Sequence, residues 1–249
     1  MEEQKMQVSV VIPVHNEEGN IVPLMREIRQ VLDGRYRYEV ICVDDHSTDQ
    51  TPLLLCRHRV EYPELRIIRL QRQCGQSAAL RVGVREARFP LVITLDGDGQ
   101  NDPADIDRFL QFFSGQDSCP ARQLVIGYRQ KRLDTGWRRL SSRLANAVRR
   151  LLLRDGAPDS GCGIKAIPRD FFLELPSFHH MHRFLPALVR QHGGRVHSLA
   201  VRHRDRSSGF SHYGTLDRLA EGIIDLCGVI WLGRRAMTPE VEPEGRLHG

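Results

Sequence analysis

Short apolar runs alternate with helix-period segments through the first half of the chain. Val8 to Ile12 is an apolar run that stops at Pro13, the pattern of a parallel strand covered on both faces. Apolar residues then recur at helical spacing (Ile21, Leu24, Met25, Ile28, Val31, Leu32) until Asp33 and Gly34 break the period. Glu39 to Val43 predicts a second strand ending at Asp44 and Asp45, and Thr51 with Pro52 reads as an N-cap and first-turn proline of a helix reaching about Arg59. Leu65 to Leu70 predicts a third strand, Gln76 to Arg88 a helix, and Leu91 to Leu95 a fourth strand running into Asp96, Gly97 and Asp98. Asp102 and Pro103 open a further helix toward Phe113, and Leu124 to Ile126 predicts a fifth strand.

Repeated strand–helix units predict an α/β fold with a mostly parallel, Rossmann-like sheet and helices on both faces. Ligands bind such sheets at the carboxyl ends of the strands. Those are the places where this chain puts His15, Asn16 and Glu17, then Asp44 and Asp45, then Asp96 and Asp98. The second half is less regular. An arginine-rich helix is predicted over Trp137–Leu153, a strand over Val196–Val201 and a helix over Tyr213–Arg235, while residues 237–249 have little to bury and are expected to be disordered. The expected organisation is one domain over residues 1–236, with a nucleotide-binding half (8–115) and an acceptor-side extension (116–236).

Composition narrows the chemistry. A hydrophobic content of 41% with 27% charged residues is that of a soluble globular chain. The start, Met1 to Gln7, passes straight into a strand, with no secretory signal expected. The apolar stretch from Ile223 to Leu232 is about half of the ~20 residues a membrane span needs. The six cysteines show no paired spacing, so reduced thiols in a cytoplasmic setting are expected. The net charge of +5 comes almost wholly from arginine, lysine standing only at positions 5, 131 and 165. Nucleic acid is excluded as the expected partner, since no aromatic platform or helix-turn-helix pattern accompanies that charge.

Asp96 and Asp98 after a buried strand form an oxygen-rich corner suited to Mg2+ or Mn2+, with Gln100 as a further oxygen ligand. Asp44 or Asp45 can accept hydrogen bonds from a base or ribose, with Ser47 to Asp49 capping the next helix. The run His179, His180, Met181, His182 lacks a supporting carboxylate or cysteine and leads into Arg183, Phe184 and Leu185, so it reads as a loop and helix start over the acceptor side rather than a metal site.

Taken in order, residues 11–18 (VIPVHNEE), 43–49 (VDDHSTD), 75–80 (GQSAAL) and 95–103 (LDGDGQNDP) resemble glycosyltransferase family 2 and its GT-A fold. The resemblance is to the branch acting on polyprenyl phosphates, and it continues through Gly127–Arg129, Asp159–Gly163, His182–Leu185 and Arg206–Tyr213, spanning residues 8–235. It implies that Pro13, His15, Glu17, Asp44, Asp45, Gln76 and Asp96 bind a UDP- or GDP-sugar, that Asp96, Asp98 and Gln100 surround the metal, and that transfer inverts the anomeric carbon. Two positions depart from the pattern: His15 stands where an aromatic is usual, and His212 where a lysine is usual.

An acceptor phosphate needs placed positive charge, for which Arg129, Arg138 and Arg206 are the candidates, with Ser211 and His212 in the late motif. Asp98, Asp159, Arg129 and Arg206 are the expected catalytic set, Asp159 acting as base toward a hydroxyl acceptor or as an orienting group toward a phosphate. A lipid acceptor implies peripheral contact at the inner face of the cytoplasmic membrane, by way of the Trp137–Leu153 and Leu226–Trp231 segments or a separate membrane-protein partner. The alternatives are a family 2 enzyme acting on a saccharide or lipid A hydroxyl, a nucleotidyltransferase, or a non-catalytic nucleotide-sugar binder.

Overall fold

The computed structural model describes residues 5–114, 121–129, 152–153, 155–204 and 215–235, the side chains of 215–221 excepted. The chain runs β1 (Gln7–Val14), α1 (Ile21–Leu32), β2 (Arg37–Asp44), α2 (Thr51–His58), β3 (Leu65–Arg69), α3 (Gln76–Glu86) and β4 (Leu91–Thr94). A 3-10 turn, Pro103–Asp105, leads into α4 (Ile106–Ser114), followed by β5 (Gln123–Arg129), β6 (Lys165–Pro168), α5 (Arg169–Glu174), a 3-10 turn at Met181–Arg183, α6 (Leu185–Gln191), β7 (Arg195–Val201) and α7 (Thr215–Arg235). The expected Trp137–Leu153 helix and the 237–249 tail lie outside the described residues, apart from Leu152 and Leu153.

The strands form one seven-stranded sheet in the order β3-β2-β1-β4-β6-β5-β7. β1, β2, β3 and β4 are mutually parallel, and β6 alone runs against its neighbours β4 and β5. Apolar residues along β1 alternate between two cores. Val8, Val10 and Ile12 join α1 and α4 on one face, while Val11 joins α3, α5 and α6 on the other. That two-sided burial is why the central strands read as continuous apolar runs. The predicted stripe on α1 is buried at Ile21, Leu24, Met25, Ile28 and Leu32.

Three expectations need correction. β6 was not anticipated: it is four residues long, begins at a lysine and ends at a proline. α5 was likewise not anticipated, whereas α6 begins at Leu185, where the run after the histidines was expected to start a helix. Thr51 is not an N-cap. Gln50 holds that place without a side-chain cap, and Thr51 Oγ1 instead accepts the Glu17 N–H at 2.9 Å.

Below the strand ends, Glu39 ties β1, β2, β3 and the α3–β4 connection together. Its carboxylate is 4% exposed and accepts from Ser9 Oγ (2.7 Å), the Arg88 N–H (2.6 Å) and Arg66 Nη1 (2.7 Å). Burial alone would push its pKa up. The bonds from Arg66, Arg88 and Ser9 outweigh it and hold the carboxyl below its ordinary 4.5. A depressed folded-state value contributes stability above the unfolded value and loses it as pH falls through the folded one. Glu39→Ala should therefore cost about 3 kcal/mol at pH 7 in urea unfolding, as removal of one member of a buried ion pair does. The gap between the unaltered protein and Glu39→Gln should narrow as pH drops below 4.5, which the same titration at several pH values measures.

Candidate active site

β4 ends in an acid turn that packs directly on the end of β1. A Cβ on Gly97 would lie 2.9 Å from Val14 Cγ1 and 3.1 Å from the Pro13 carbonyl oxygen, so only glycine permits the approach. Gly99 takes φ +71° and reverses the chain, letting the Gln100 N–H donate to Asp98 Oδ1 at 3.1 Å. Asp96 and Asp98 thereby face one cleft of about 210 Å³. The end of β1 lines it with Pro13, Val14, His15 and Glu17, the end of β2 with Asp45, and the start of α3 with Gln76.

Seven of the expected donor and metal residues are thus brought together: Pro13, His15, Glu17, Asp45, Gln76, Asp96 and Asp98. Two others are not among the lining residues. Asp44 is fully buried, accepting the Ser47 N–H at 2.9 Å and lying 3.2 Å from Arg69 Nε. Gln100 turns its carbonyl to the Arg204 N–H at 3.0 Å. Arg138, Arg206, Ser211 and His212 lie outside the described residues.

The loops are laced rather than loose. Ser47 Oγ accepts the Asn16 N–H, Asn16 Oδ1 accepts the Thr48 N–H, and Asp49 Oδ2 accepts the Glu18 N–H. Of the residues expected to cap α2, Asp49 does accept the Thr51 N–H at 2.9 Å, while Ser47 and Thr48 fasten the β1 loop to the β2 loop. Asp45 accepts two N–H groups, Cys74 at 2.7 Å and Gly75 at 2.8 Å, a contact that the φ of +85° at Gly75 allows. His15 Nδ1 is 2.8 Å from the Asp45 carbonyl oxygen, and Gln76 Nε2 donates to Asp96 Oδ1 at 2.7 Å. From the far side, Arg204 clamps the acid turn to α1, reaching Asp102 at 2.9 Å and Glu27 at 2.7 Å.

The second half of the chain enters through β6. Thr94 Oγ1 donates to the Gly163 carbonyl at 2.9 Å, and a Cβ on Gly163 would lie 2.2 Å from Asp96 Oδ2. Two residues on, Lys165 is 4% exposed and its ammonium donates to the Cys162 carbonyl. Burial pulls its pKa down, while Asp96 and Asp159 oppose that shift. Asp96 opens to the cleft on one side and meets protein on the others. Burial pushes its carboxyl up to about 6, with the Asp98 charge adding and Lys165, the Gln76 hydrogen bond and Arg129 opposing. Arg129 and Asp159 form a two-bond fork, Nε to Oδ2 at 2.6 Å and Nη2 to Oδ1 at 3.0 Å. Gly163, Lys165 and Arg204 were not singled out from the sequence. Lys165 carried a signal, being a lone lysine in an apolar run of an arginine-rich chain.

A buried carboxylate whose ionisation a second carboxylate opposes, as Asp98 does for Asp96, suits a divalent cation. Among the described residues no group of three or more His, Cys, Asp or Glu stands ready to hold a metal alone. Asp96 and Asp98 would leave the other positions to phosphate oxygens and water, as Mg2+ and Mn2+ commonly do. If Gly163 must stay bare for Asp96 to hold its place, Gly163→Ala should weaken Mn2+ binding by about 100-fold, the scale of altering a metal's supporting shell. Calorimetric titration of Mn2+, with circular dichroism checking that the fold persists, measures this.

The glycosyl transferase family 2 sequence model matches residues 9–175. A dodecaprenyl-phosphate galacturonate synthase of Rhizobium johnstonii is 34% identical over 95% of this chain and 70% of its own length. An undecaprenyl-phosphate 4-deoxy-4-formamido-L-arabinose transferase of Edwardsiella ictaluri is 33% identical over 84% of this chain. The chain spans 63% of that relative. Among solved structures, a Pyrobaculum calidifontis mannosyltransferase in complex with GDP-Man and Mn2+ superposes with a TM-score of 0.68 at 18% identity, covering 96% of this chain and 67% of its own. Glucosyl-3-phosphoglycerate synthase of Mycobacterium tuberculosis, in complex with Mn2+, UDP-glucose and glycerol 3-phosphate, gives 0.60 at 22% identity over 94% of this chain and 82% of its own. The GT-A fold expected from the motifs is the fold of this chain, and the chain belongs to glycosyltransferase family 2.

Proposed function

We propose that this chain transfers a sugar, with inversion, from a UDP- or GDP-sugar to a polyprenyl phosphate, using Mg2+ or Mn2+. The observation that carries the reading is the shared cleft: Asp96 and Asp98 on the acid turn face the same space as the ends of β1 and β2. Two curated relatives are named for sugar transfer involving dodecaprenyl or undecaprenyl phosphate, which supports the acceptor class.

A metal on Asp96 and Asp98 would supply Lewis acidity toward the diphosphate. The chain's own residues do the rest. Pro13, His15, Glu17 and Asp45 bind the nucleoside, and Gln76 orients Asp96. An acceptor phosphate oxygen forms the new bond to the anomeric carbon as the bond to the nucleoside diphosphate breaks, and the leaving group departs with the electron pair. A phosphate monoester is largely dianionic at neutral pH, so no proton has to be removed from it. Asp159 suits that chemistry as the residue that aims Arg129, since its carboxylate is engaged in the fork rather than poised as a base. A hydroxyl acceptor would need such a base.

Among the described residues no helix is long and apolar enough to cross a membrane. Helix α7 turns Val229 inward and leaves Ile224 70% and Trp231 59% exposed ahead of Arg234 and Arg235. That face supports peripheral contact at the inner surface of the cytoplasmic membrane, alone or beside a membrane-protein partner.

The test is incubation with Mn2+ or Mg2+, undecaprenyl phosphate in vesicles and a panel of UDP- and GDP-sugars, reading glycolipid and released nucleoside diphosphate. Product is expected with one donor, abolished by chelation and reduced about 10³-fold by Asp98→Asn. Asp159→Asn should cost less than the roughly 10²- to 10⁴-fold loss that removal of a general base brings. Neither glycolipid nor nucleotide release across the panel would overturn the reading.

A further inference from the structure

The histidine run at 179–182 fastens two distant elements. His180, at φ +65°, sets Nδ1 2.8 Å from Asp225 Oδ2 on α7. His182 sets Nδ1 2.7 Å from Ser77 Oγ, and its own N–H donates to that oxygen at 3.3 Å. Between them Met181 is buried, and Phe184 closes the loop with its ring 6.3 Å from that of Phe178. The loop from Phe178 to Phe184 is therefore a strap fastened at one end to α7 and at the other to the first turn of α3.

That turn serves the donor cleft. Ser77, 5% exposed, follows Gln76, whose amide donates to Asp96, and Gly75, whose N–H donates to Asp45. With the Ser77 oxygen accepting the His182 N–H, its own proton is free to bridge to Nδ1. A neutral imidazole with its proton on Nε2 suits that arrangement. Burial, then the positive charge of Lys165 and Arg183 and neighbouring His180, hold His182 well below its ordinary pKa, in keeping with that neutral form.

We infer that Ser77 and His182 are a positioning pair, through which the strap fixes the first turn of α3 and so sets Gln76 on Asp96 for diphosphate binding. Neither residue lines the cleft, so both act through Gln76. The inference rests on the donor-site reading above.

The experiment titrates Mn2+ together with UDP, and separately with GDP, into the full chain and its variants. Ser77→Ala and Gln76→Ala are each expected to weaken the tighter nucleotide about tenfold, the worth of one hydrogen bond to a charged group. The double variant should be no weaker than Gln76→Ala alone, because the first change acts through the second residue. His182→Ala should match Ser77→Ala, and His182→Asn, whose amide stands where Nδ1 was, should recover the affinity. Losses that multiply in the double variant, or an Asn variant no better than Ala, would overturn the coupling while leaving the donor site intact. If the unaltered protein bound neither nucleotide with Mn2+, the donor-site reading would fall and this inference with it.

Discussion

Gly163 and Asp96 compete for one small space, and the sheet is arranged so that the carboxylate wins it. A side chain at position 163 would have to displace Asp96 Oδ2, with the Asn101 oxygen only 2.5 Å away on the other side. At position 163 the second half of the chain can therefore approach Asp96 only as bare backbone. It does so by threading β6 antiparallel between β4 and β5, pairing Thr94 with Lys165 and Val125 with Ala166. Once that register is set, Asp159, Cys162 and Lys165 follow beside the carboxylates, and β5 carries Arg129 in from the other side.

The charge balance that results is unusual for a sheet interior. Asp96 and Asp98 bring two negative charges to the cleft, and Lys165 and Arg129 bring two positive charges close to it. Burying an ammonium costs several kcal/mol unless it is hydrogen-bonded and faces opposite charge. Lys165 has both, through the Cys162 carbonyl and the fields of Asp96 and Asp159. Removing the lysine would leave Arg129 as the remaining one of these two cations to offset the repulsion between the carboxylates. Positive charge fixed in advance beside a diphosphate site is also what phosphate chemistry requires, because no reorganisation is needed when the anion arrives.

The first half was legible because period and punctuation agree there. Val8 to Ile12 stops at Pro13, the α1 stripe stops at Asp33, and β1, β2 and β4 each deliver an acid at the carboxyl end, so α/β topology and most of the cleft could be read together. The ends of elements shifted by a residue or two, as helix and strand ends do. β6 was not legible, since four residues beginning with lysine and ending with proline show neither alternation nor a long apolar run. Asp44 and Asp45 were indistinguishable in sequence. Strand alternation separates them: Asp44 ends β2 facing Arg69, while Asp45, one residue later, faces the cleft. Gly163 was visible only as the end of the 159–163 motif, because a close approach from a distant strand leaves no local mark.

The Arg129–Asp159 fork bears on the acceptor more than any single charge does. If the acceptor were a hydroxyl, the site would need a carboxylate able to take its proton, and a carboxylate in two short bonds to a guanidinium is a poor proton acceptor. If the acceptor is a phosphate, the same fork is an asset. It holds the guanidinium in one orientation, with the Gly161 N–H steadying Asp159 at 3.2 Å, so a cation near enough to Asp96 to oppose its burial has little rotamer entropy to lose. The polar geometry of the second half thus favours an acceptor that arrives already ionised, in agreement with the class of lipid named for the relatives.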